Sequence, residues 1–106
     1  MVSSLMEKRR PAYDLSAIQG AFDRPDRLVA TTTALRGAAT LGLGRQDIVD
    51  VIQGLRPGDF YKSMTSHHDH TVWQDVYHGR SPAGLVYVKV TAGIVTQFLL
   101  LSFKEK

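Results

Sequence analysis

The stretch LVYVKVT at residues 85–91 is the clearest strand signal in the chain. Its three valines alternate with Tyr87 and Lys89, so one face of the predicted strand is apolar and the other carries a phenol and an ammonium group. Strands with one apolar and one polar face are typical of antiparallel sheets that are covered on one side. The other side of such a sheet is then free to bind a ligand.

Period-two patterns on both sides of this stretch predict further strands. They lie at residues 60–65 (FYKSMT), 71–77 (TVWQDVY) and 98–104 (FLLLSFK), and residues 79–84 are predicted to form a loop. Because the connections between these strands are short, neighbouring strands should be antiparallel.

The first half of the chain has helical rather than strand periodicity. Apolar residues recur at helical spacing from Leu15 to Phe22, Ser16 and Gln19 fit a capping box, and the helix should end by Arg24 before a proline. A short extended piece at residues 28–30 follows. Two more helices are predicted, one capped by Thr32 or Thr33 and stopped at Gly42, the other ending near Gly54. The residues expected to face the sheet are Leu35, Ala38 and Ala39 in the second helix and Ile48, Val51, Ile52 and Leu55 in the third.

Helices followed by antiparallel strands predict a single α+β domain over residues 1–106, with N-terminal helices packed on one face of a twisted, mainly antiparallel sheet. Residues 1–12 are expected to be a flexible or extended terminus. The chain has no cysteine, which excludes a disulfide scaffold, a thiolate zinc site and a cysteine nucleophile. The net charge of +3 is compatible with a polyanionic partner. No apolar run is long enough to cross a membrane and the N-terminus lacks the apolar core of a secretory signal, so cytoplasmic residence is expected.

A histidine-rich loop is expected at residues 67–70 (HHDH). The spacing lacks a helical pair and a distant fourth ligand, so a polar hairpin loop is favoured over a metal site or a proton-transfer contact. The G-x-G at residues 42–44 follows no strand, which favours a turn between helices over a phosphate loop.

Each late strand carries a polar residue at an interior position: Lys62, Gln74, Tyr87 and Lys104. They share one face only if the strand registers cooperate, and a sequence does not fix registers. Each of them, taken alone, is more simply explained as a solvated strand position. Trp73 is expected to pack between elements rather than to stack on a base.

Four blocks of sequence resemble the MqsR family of toxins, which are motility-quorum-sensing-regulator-type mRNA interferases of type II toxin–antitoxin systems. The blocks are DFYKSMT at 59–65, DHTVWQDVY at 69–77, VYVKVT at 86–91 and SFKEK at 102–106, in order and with similar spacing. The resemblance implies a RelE-like fold and a sequence-selective endoribonuclease that needs no metal or other cofactor. It also implies an MqsA-type antitoxin partner, contact with operator DNA only through that antitoxin, and inhibition of translation and growth.

The resemblance also implies that the family's catalytic candidates correspond to Lys62, Gln74, Tyr87 and Lys104, the same four interior polar positions. His78 stands where the best-known relative has an arginine, and the hairpin between Lys89 and Ser102 is longer. These departures keep open the alternative of a non-catalytic RNA- or protein-binding module with the same fold.

Metal-free cleavage of RNA uses the 2′-hydroxyl as nucleophile and needs a base, an acid and a phosphate clamp. The hypothesis is that Lys62 and Lys104 clamp the phosphate, and that their repulsion lowers one lysine pKa enough to make that lysine a base. Tyr87 would be the acid or orient the 2′-hydroxyl, Gln74 would bind a base edge or a phosphate oxygen, and the histidines compete for the acid–base role. The residues expected to contact RNA are Tyr61, Tyr77, His78 and Arg80.

Overall fold

The computed structural model describes residues 6–66 and 69–106, and residues 1–5, 67 and 68 lie outside its description. Two 3₁₀ turns, Pro25–Arg27 and Pro57–Asp59, precede the second helix and the second strand. The regular elements follow one another as strand β1 (Glu7–Lys8), helices α1 (Leu15–Ala21), α2 (Thr32–Thr40) and α3 (Arg45–Gln53), and strands β2 (Phe60–Thr65), β3 (Trp73–Ser81), β4 (Gly84–Ala92) and β5 (Phe98–Glu105).

The five strands form one antiparallel sheet in the order β1-β2-β3-β4-β5, so sequence neighbours are also spatial neighbours. Helices followed by this sheet confirm the α+β prediction. The extended piece at residues 28–30 is also confirmed, since Ala30 forms a parallel bridge with Leu100 at the β5 edge.

The helices cover one face of the sheet, and the core lies between the two layers. The valines of β4 are at most 1 % exposed on this face. Two glycines permit the close packing. A side chain at Gly37 of α2 would overlap the carbonyl oxygen of Phe103 on β5, and a Cβ at Gly79 of β3 would lie 2.6 Å from Val51 Cγ1 of α3. The buried apolar residues that α3 and its end contribute are Ile48, Val49, Val51, Ile52 and Leu55.

The capping box predicted at Ser16 and Gln19 is wrong. Asp14 occupies the N-cap of α1, and the Ser16 hydroxyl donates to its carboxylate at 2.8 Å. Gln19 instead reaches the end of α3, where its Nε2 donates to the carbonyl oxygens of Ile52 at 3.0 Å and Leu55 at 2.9 Å. A long-range bond that satisfies helix-end carbonyls takes the place of the local motif.

The cap of α2 is one residue earlier than predicted. The Thr31 hydroxyl, rather than that of Thr32 or Thr33, accepts a hydrogen bond from the Ala34 amide at 3.1 Å. The buried face correspondingly uses Ala34 and Ala38, whereas Ala39 is exposed. Gly42 ends the helical turn at a φ of 75°, as the pattern predicted.

The loop predicted at residues 79–84 is wrong for most of its length. β3 continues to Ser81 and β4 begins at Gly84, leaving a two-residue turn between them. Gly84 has a φ of 101°, which suits a tight hairpin. Gly79 resembled a loop residue in the sequence, but it lies in the strand because α3 leaves no room there for a side chain.

Candidate active site on the open face of the sheet

The face of the sheet that carries no helices gathers the four polar residues that the sequence singled out. On β4, Tyr87 alternates with the buried valines, so it points away from the helices. Tyr87 pairs in register with His78 of β3 and with Lys104 of β5, which places all three side chains in one row across the open face. Gln74 lies further along the same face, in register with Met64 and Thr91.

A β-bulge puts Lys62 on the open face. In a regular strand Phe60 and Lys62 would share a face, but the register shifts between them. Phe60 is paired with Tyr77 and packs against the core, whereas Lys62 is paired with Val76. The bulge therefore allows β2 to supply a core aromatic ring and, two residues later, an open-face ammonium group.

Aromatic rings line the open face beside the lysines. The imidazole of His78 stacks on the Tyr61 ring with centroids 4.6 Å apart, and its centroid lies 6.4 Å from that of Tyr87. The Nζ of Lys104 lies 5.1 Å from the Tyr87 ring centroid, and that of Lys62 lies 5.3 Å from the Tyr61 ring centroid. These distances bring ammonium groups, a phenol and an imidazole into one continuous surface.

Glu7 is a member of the site that the sequence interpretation missed. Its Oε2 lies 2.8 Å from Nζ of Lys62. The hydrogen bond to Glu7 raises the pKa of Lys62 above its usual value, and the same bond lowers the pKa of Glu7. Lys62 is thus held as an ammonium ion, so the hypothesis of a lowered lysine pKa does not apply to it.

Lys89 is the second missed member. It is partly buried on the open face of β4, in register with Val76 of β3 and Ser102 of β5. Burial lowers the pKa of Lys89 below its usual value, and the positive charges of Lys104 and Lys62 lower it further. The sequence contained a signal for this residue, because Lys89 lies two residues from Tyr87 on the polar face of the clearest strand.

The other titratable groups of the open face are shifted mainly by burial. Burial raises the pKa of Tyr87, against an opposing effect of Lys62. Burial also lowers the pKa of His78, with a smaller contribution from the charge of Lys106. The phenol of Tyr87 is therefore protonated at neutral pH and can donate a proton or a hydrogen bond.

The placement predicted for Tyr77 is wrong, because its side chain lies on the helix-covered face. Tyr77 is 1 % exposed and packs edge-on against Phe60 with ring centroids 5.5 Å apart, and burial raises its pKa to about 12. Alternation along β3 places the side chain of Tyr77 on the face opposite to those of Gln74 and His78. Arg80 is exposed, and its Nη2 lies 3.2 Å from Oδ1 of Asp59.

The histidine-rich loop is described only in part, since His67 and His68 lie outside the described residues. Asp69 accepts a hydrogen bond from the Thr71 amide at 2.8 Å, and His70 is exposed. Within residues 6–66 and 69–106, no group of three or more histidines and carboxylates is placed to hold a metal ion. No helix in this part of the chain has the length and apolar character needed to span a membrane.

Fold and site together define a small basic α+β domain with a cationic, aromatic-lined open sheet face. The model of the family described as "Motility quorum-sensing regulator, toxin of MqsA" matches residues 10–105, and the chain belongs to this toxin family. The mRNA interferase toxin MqsR of Escherichia coli (strain K12) is 45 % identical over 101 residues, which cover 95 % of this chain and 100 % of that relative. The resemblance found in the sequence is therefore confirmed, and the family description includes a protein partner.

Proposed function

We propose that this protein is the toxin of a type II toxin–antitoxin system and a metal-independent, sequence-selective endoribonuclease that cleaves mRNA. The observation that carries the proposal is the convergence of Lys62, Lys104 and Tyr87 on one open sheet face. A 45 % identical relative named as an mRNA interferase toxin supports the same activity. Cleavage of messages would inhibit translation and growth.

The chemistry follows from the charges on this face. The 2′-hydroxyl of the substrate loses a proton and attacks the adjacent phosphorus, and the 5′-oxygen leaves with a proton, giving a 2′,3′-cyclic phosphate and a free 5′-hydroxyl. Lys62 and Lys104 stabilise the extra negative charge of the phosphorane as ammonium ions. Tyr87 donates the proton to the leaving oxygen, and Gln74 binds a base edge or a phosphate oxygen.

Unpaired RNA fits the surface beside these groups. Bases of single-stranded RNA bind by stacking on aromatic rings and by hydrogen bonds to their edges. Tyr61 is 42 % exposed and lies against His78, so a base can stack on the free side of this pair. Arg80 is exposed near the same end of β3 and offers a phosphate contact.

The family description also supports the partner in this proposal. We infer that an MqsA-type antitoxin neutralises the protein, and that operator DNA is contacted only through the antitoxin. Because mRNA is the proposed substrate, we infer that the protein acts in the cytoplasm.

The test is incubation of the purified protein with a long mRNA in excess EDTA. Discrete fragments that end in 2′,3′-cyclic phosphate are expected, and fully intact RNA would refute the nuclease. Tyr87→Phe and Lys104→Met should lower the cleavage rate by roughly 10²- to 10⁴-fold, the usual size of acid–base and fixed-charge contributions. Lys8→Met is the matched control, because this substitution removes the same charge at a different place. The Nζ of Lys8 lies 4.3 Å from the Trp73 ring centroid rather than beside the Tyr87 ring.

A further inference from the structure

We propose that Lys89 is the general base of the cleavage reaction, the group that takes the proton from the 2′-hydroxyl. The inference rests on the proposed nuclease function and assigns a catalytic role to a residue outside the four predicted ones. Under this assignment Lys62 and Lys104 act as fixed positive charges.

The position of Lys89 is central on the open face. It lies on β4 two residues from Tyr87, on the same side of the strand, with Val76 of β3 and Ser102 of β5 as its cross-strand neighbours. Val76 is 0 % exposed, so the sheet surface next to Lys89 is apolar and excludes water. A phosphate held between β2 and β5 would lie over Lys89 and Tyr87 together.

The charges around Lys89 are unbalanced. Both Lys62 and Lys104 lie close enough to disfavour its charged form, and among residues 6–66 and 69–106 no carboxylate forms an ion pair with it. Glu7, an acidic group on this face, is bound to Lys62. The titratable side chains that share the open face with Lys89 are Glu7 of β1, Tyr61 and Lys62 of β2, His78 of β3, Tyr87 of β4, and Lys104 of β5 with Lys106 beyond it, and of these Lys104 and Lys62 act on the charge of Lys89.

This arrangement separates the roles of the lysines. Burial and two neighbouring ammonium groups lower the pKa of Lys89, which increases the fraction of neutral amine available at neutral pH. Glu7 raises the pKa of Lys62 and keeps it charged. A base needs a free electron pair whereas a phosphate clamp needs a positive charge, so Lys89 suits the first role and Lys62 the second.

The reaction step balances without any further reactant. Neutral Lys89 takes the 2′-hydroxyl proton and becomes an ammonium ion while the 2′-oxygen forms a bond to phosphorus. The bond from phosphorus to the 5′-oxygen breaks, and that oxygen takes the phenolic proton of Tyr87. Exchange with water returns the proton from Lys89 and restores the phenol. The new positive charge on Lys89 forms as the phosphorane becomes more negative.

The decisive variant is Lys89→Arg, which keeps a long basic side chain at this position but removes the base, because a guanidinium does not lose its proton in proteins. Single-turnover cleavage should fall by roughly 10²- to 10⁴-fold, and the rise of the rate with pH that we expect for the parent protein should be absent from the variant. Binding of the same oligonucleotide with a 2′-deoxy sugar at the cleavage site should stay within about twofold, since Lys62 and Lys104, which hold the phosphate, are unchanged. Lys8→Arg serves as the matched control.

A Lys89→Arg protein that cleaves at the parent rate with the parent pH profile would overturn the assignment. So would loss of the pH-dependent limb in His78→Asn with its retention in Lys89→Arg, which would identify His78 as the base. If the parent protein itself leaves RNA intact, the nuclease proposal fails and the base assignment fails with it.

A second measurement requires neither substitution nor activity. The lysine side chains of the parent protein can be titrated individually by nuclear magnetic resonance of their terminal methylene and amine groups. Lys89 should lose its proton at a lower pH than Lys62. The reverse order would contradict the proposal even if a substituted protein failed to fold.

Discussion

The carboxylate of Glu7 on β1 lies 2.8 Å from the ammonium group of Lys62 on β2, across 55 residues of sequence. This contact has two effects. It fastens a two-residue edge strand to the sheet, and it places an anion on the surface where the proposed substrate phosphate binds. Because a carboxylate and a phosphate compete for the same ammonium group, RNA binding should displace Glu7 from Lys62.

Removing this competition should tighten RNA binding. In Glu7→Gln the charge of Lys62 is no longer neutralised, so a single-stranded oligonucleotide with a 2′-deoxy sugar at the cleavage site should bind several-fold more tightly. The slope of log K against log salt should become steeper by about 0.7, the value for one additional phosphate contact on a single strand. Fluorescence anisotropy across a salt series measures both quantities.

Asp26→Asn is the control, because Asp26 pairs with Arg24 away from the open face. Weaker binding by Glu7→Gln would show that Glu7 positions Lys62 instead of masking it.

The sequence predicted the polar face of β4 correctly, because alternation in a regular strand is a local property. Tyr87 follows from that alternation, and Lys104 follows from its own strand once the β4–β5 register is known. The face on which Lys62 lies could not be predicted from alternation. Its face depends on a bulge, and the bulge is fixed by the packing of Phe60 against Tyr77, which is a long-range contact.

The missed residues have similar causes. Glu7 belongs to a strand too short to give a period, and this strand pairs with β2, more than fifty residues away in the chain. The burial of Tyr77 was predictable, because alternation along β3 places it on the face opposite to Gln74 and His78. Gly79 was assigned to a loop because a glycine signals chain freedom in a sequence, whereas here α3 demands the absence of a side chain.

The contact between α2 and β5 should be intolerant of a single methyl group. Gly37→Ala forces a Cβ into the carbonyl oxygen of Phe103, which is backbone and cannot rotate away. We expect a loss of about 3 kcal/mol in the free energy of unfolding, the upper range for overpacking, and a Tm lower by roughly 13 °C. Gly20→Ala in α1 is the control, since nothing lies within 4 Å of its Cβ position, and it should gain about 0.5 kcal/mol. Equal Tm values for the two variants would contradict this account of the interface.

The stability of the fold should depend on pH through His78. Because burial and Lys106 lower its pKa in the folded state, the unfolded chain binds more protons than the folded one at mildly acidic pH. The contribution of His78 is therefore present above about pH 6.5, the pKa of an unperturbed histidine, and is lost as the pH falls through the lower pKa of the folded state.

Urea denaturation of the parent protein and of His78→Asn at about pH 7.5 and pH 5.5 measures this effect. The parent should lose more of its free energy of unfolding between the two pH values than the variant does. His70→Asn, at an exposed histidine of the loop before β3, controls for the general effect of removing an imidazole. Identical losses in the parent and His78→Asn would exclude His78 as the source.

The two tyrosines of the predicted RNA surface should behave differently. Tyr61 is 42 % exposed with one side of its ring on His78, whereas Tyr77 is 1 % exposed beneath the helices. A base stacked on an aromatic ring contributes about 1–3 kcal/mol, so Tyr61→Ala should weaken binding of a single-stranded oligonucleotide with a 2′-deoxy cleavage site by roughly 5- to 150-fold. Tyr77→Phe should leave that affinity unchanged, and circular dichroism should show that both variants are folded. If Tyr61→Ala bound the oligonucleotide as tightly as the parent protein, the RNA path would not cross the Tyr61–His78 pair.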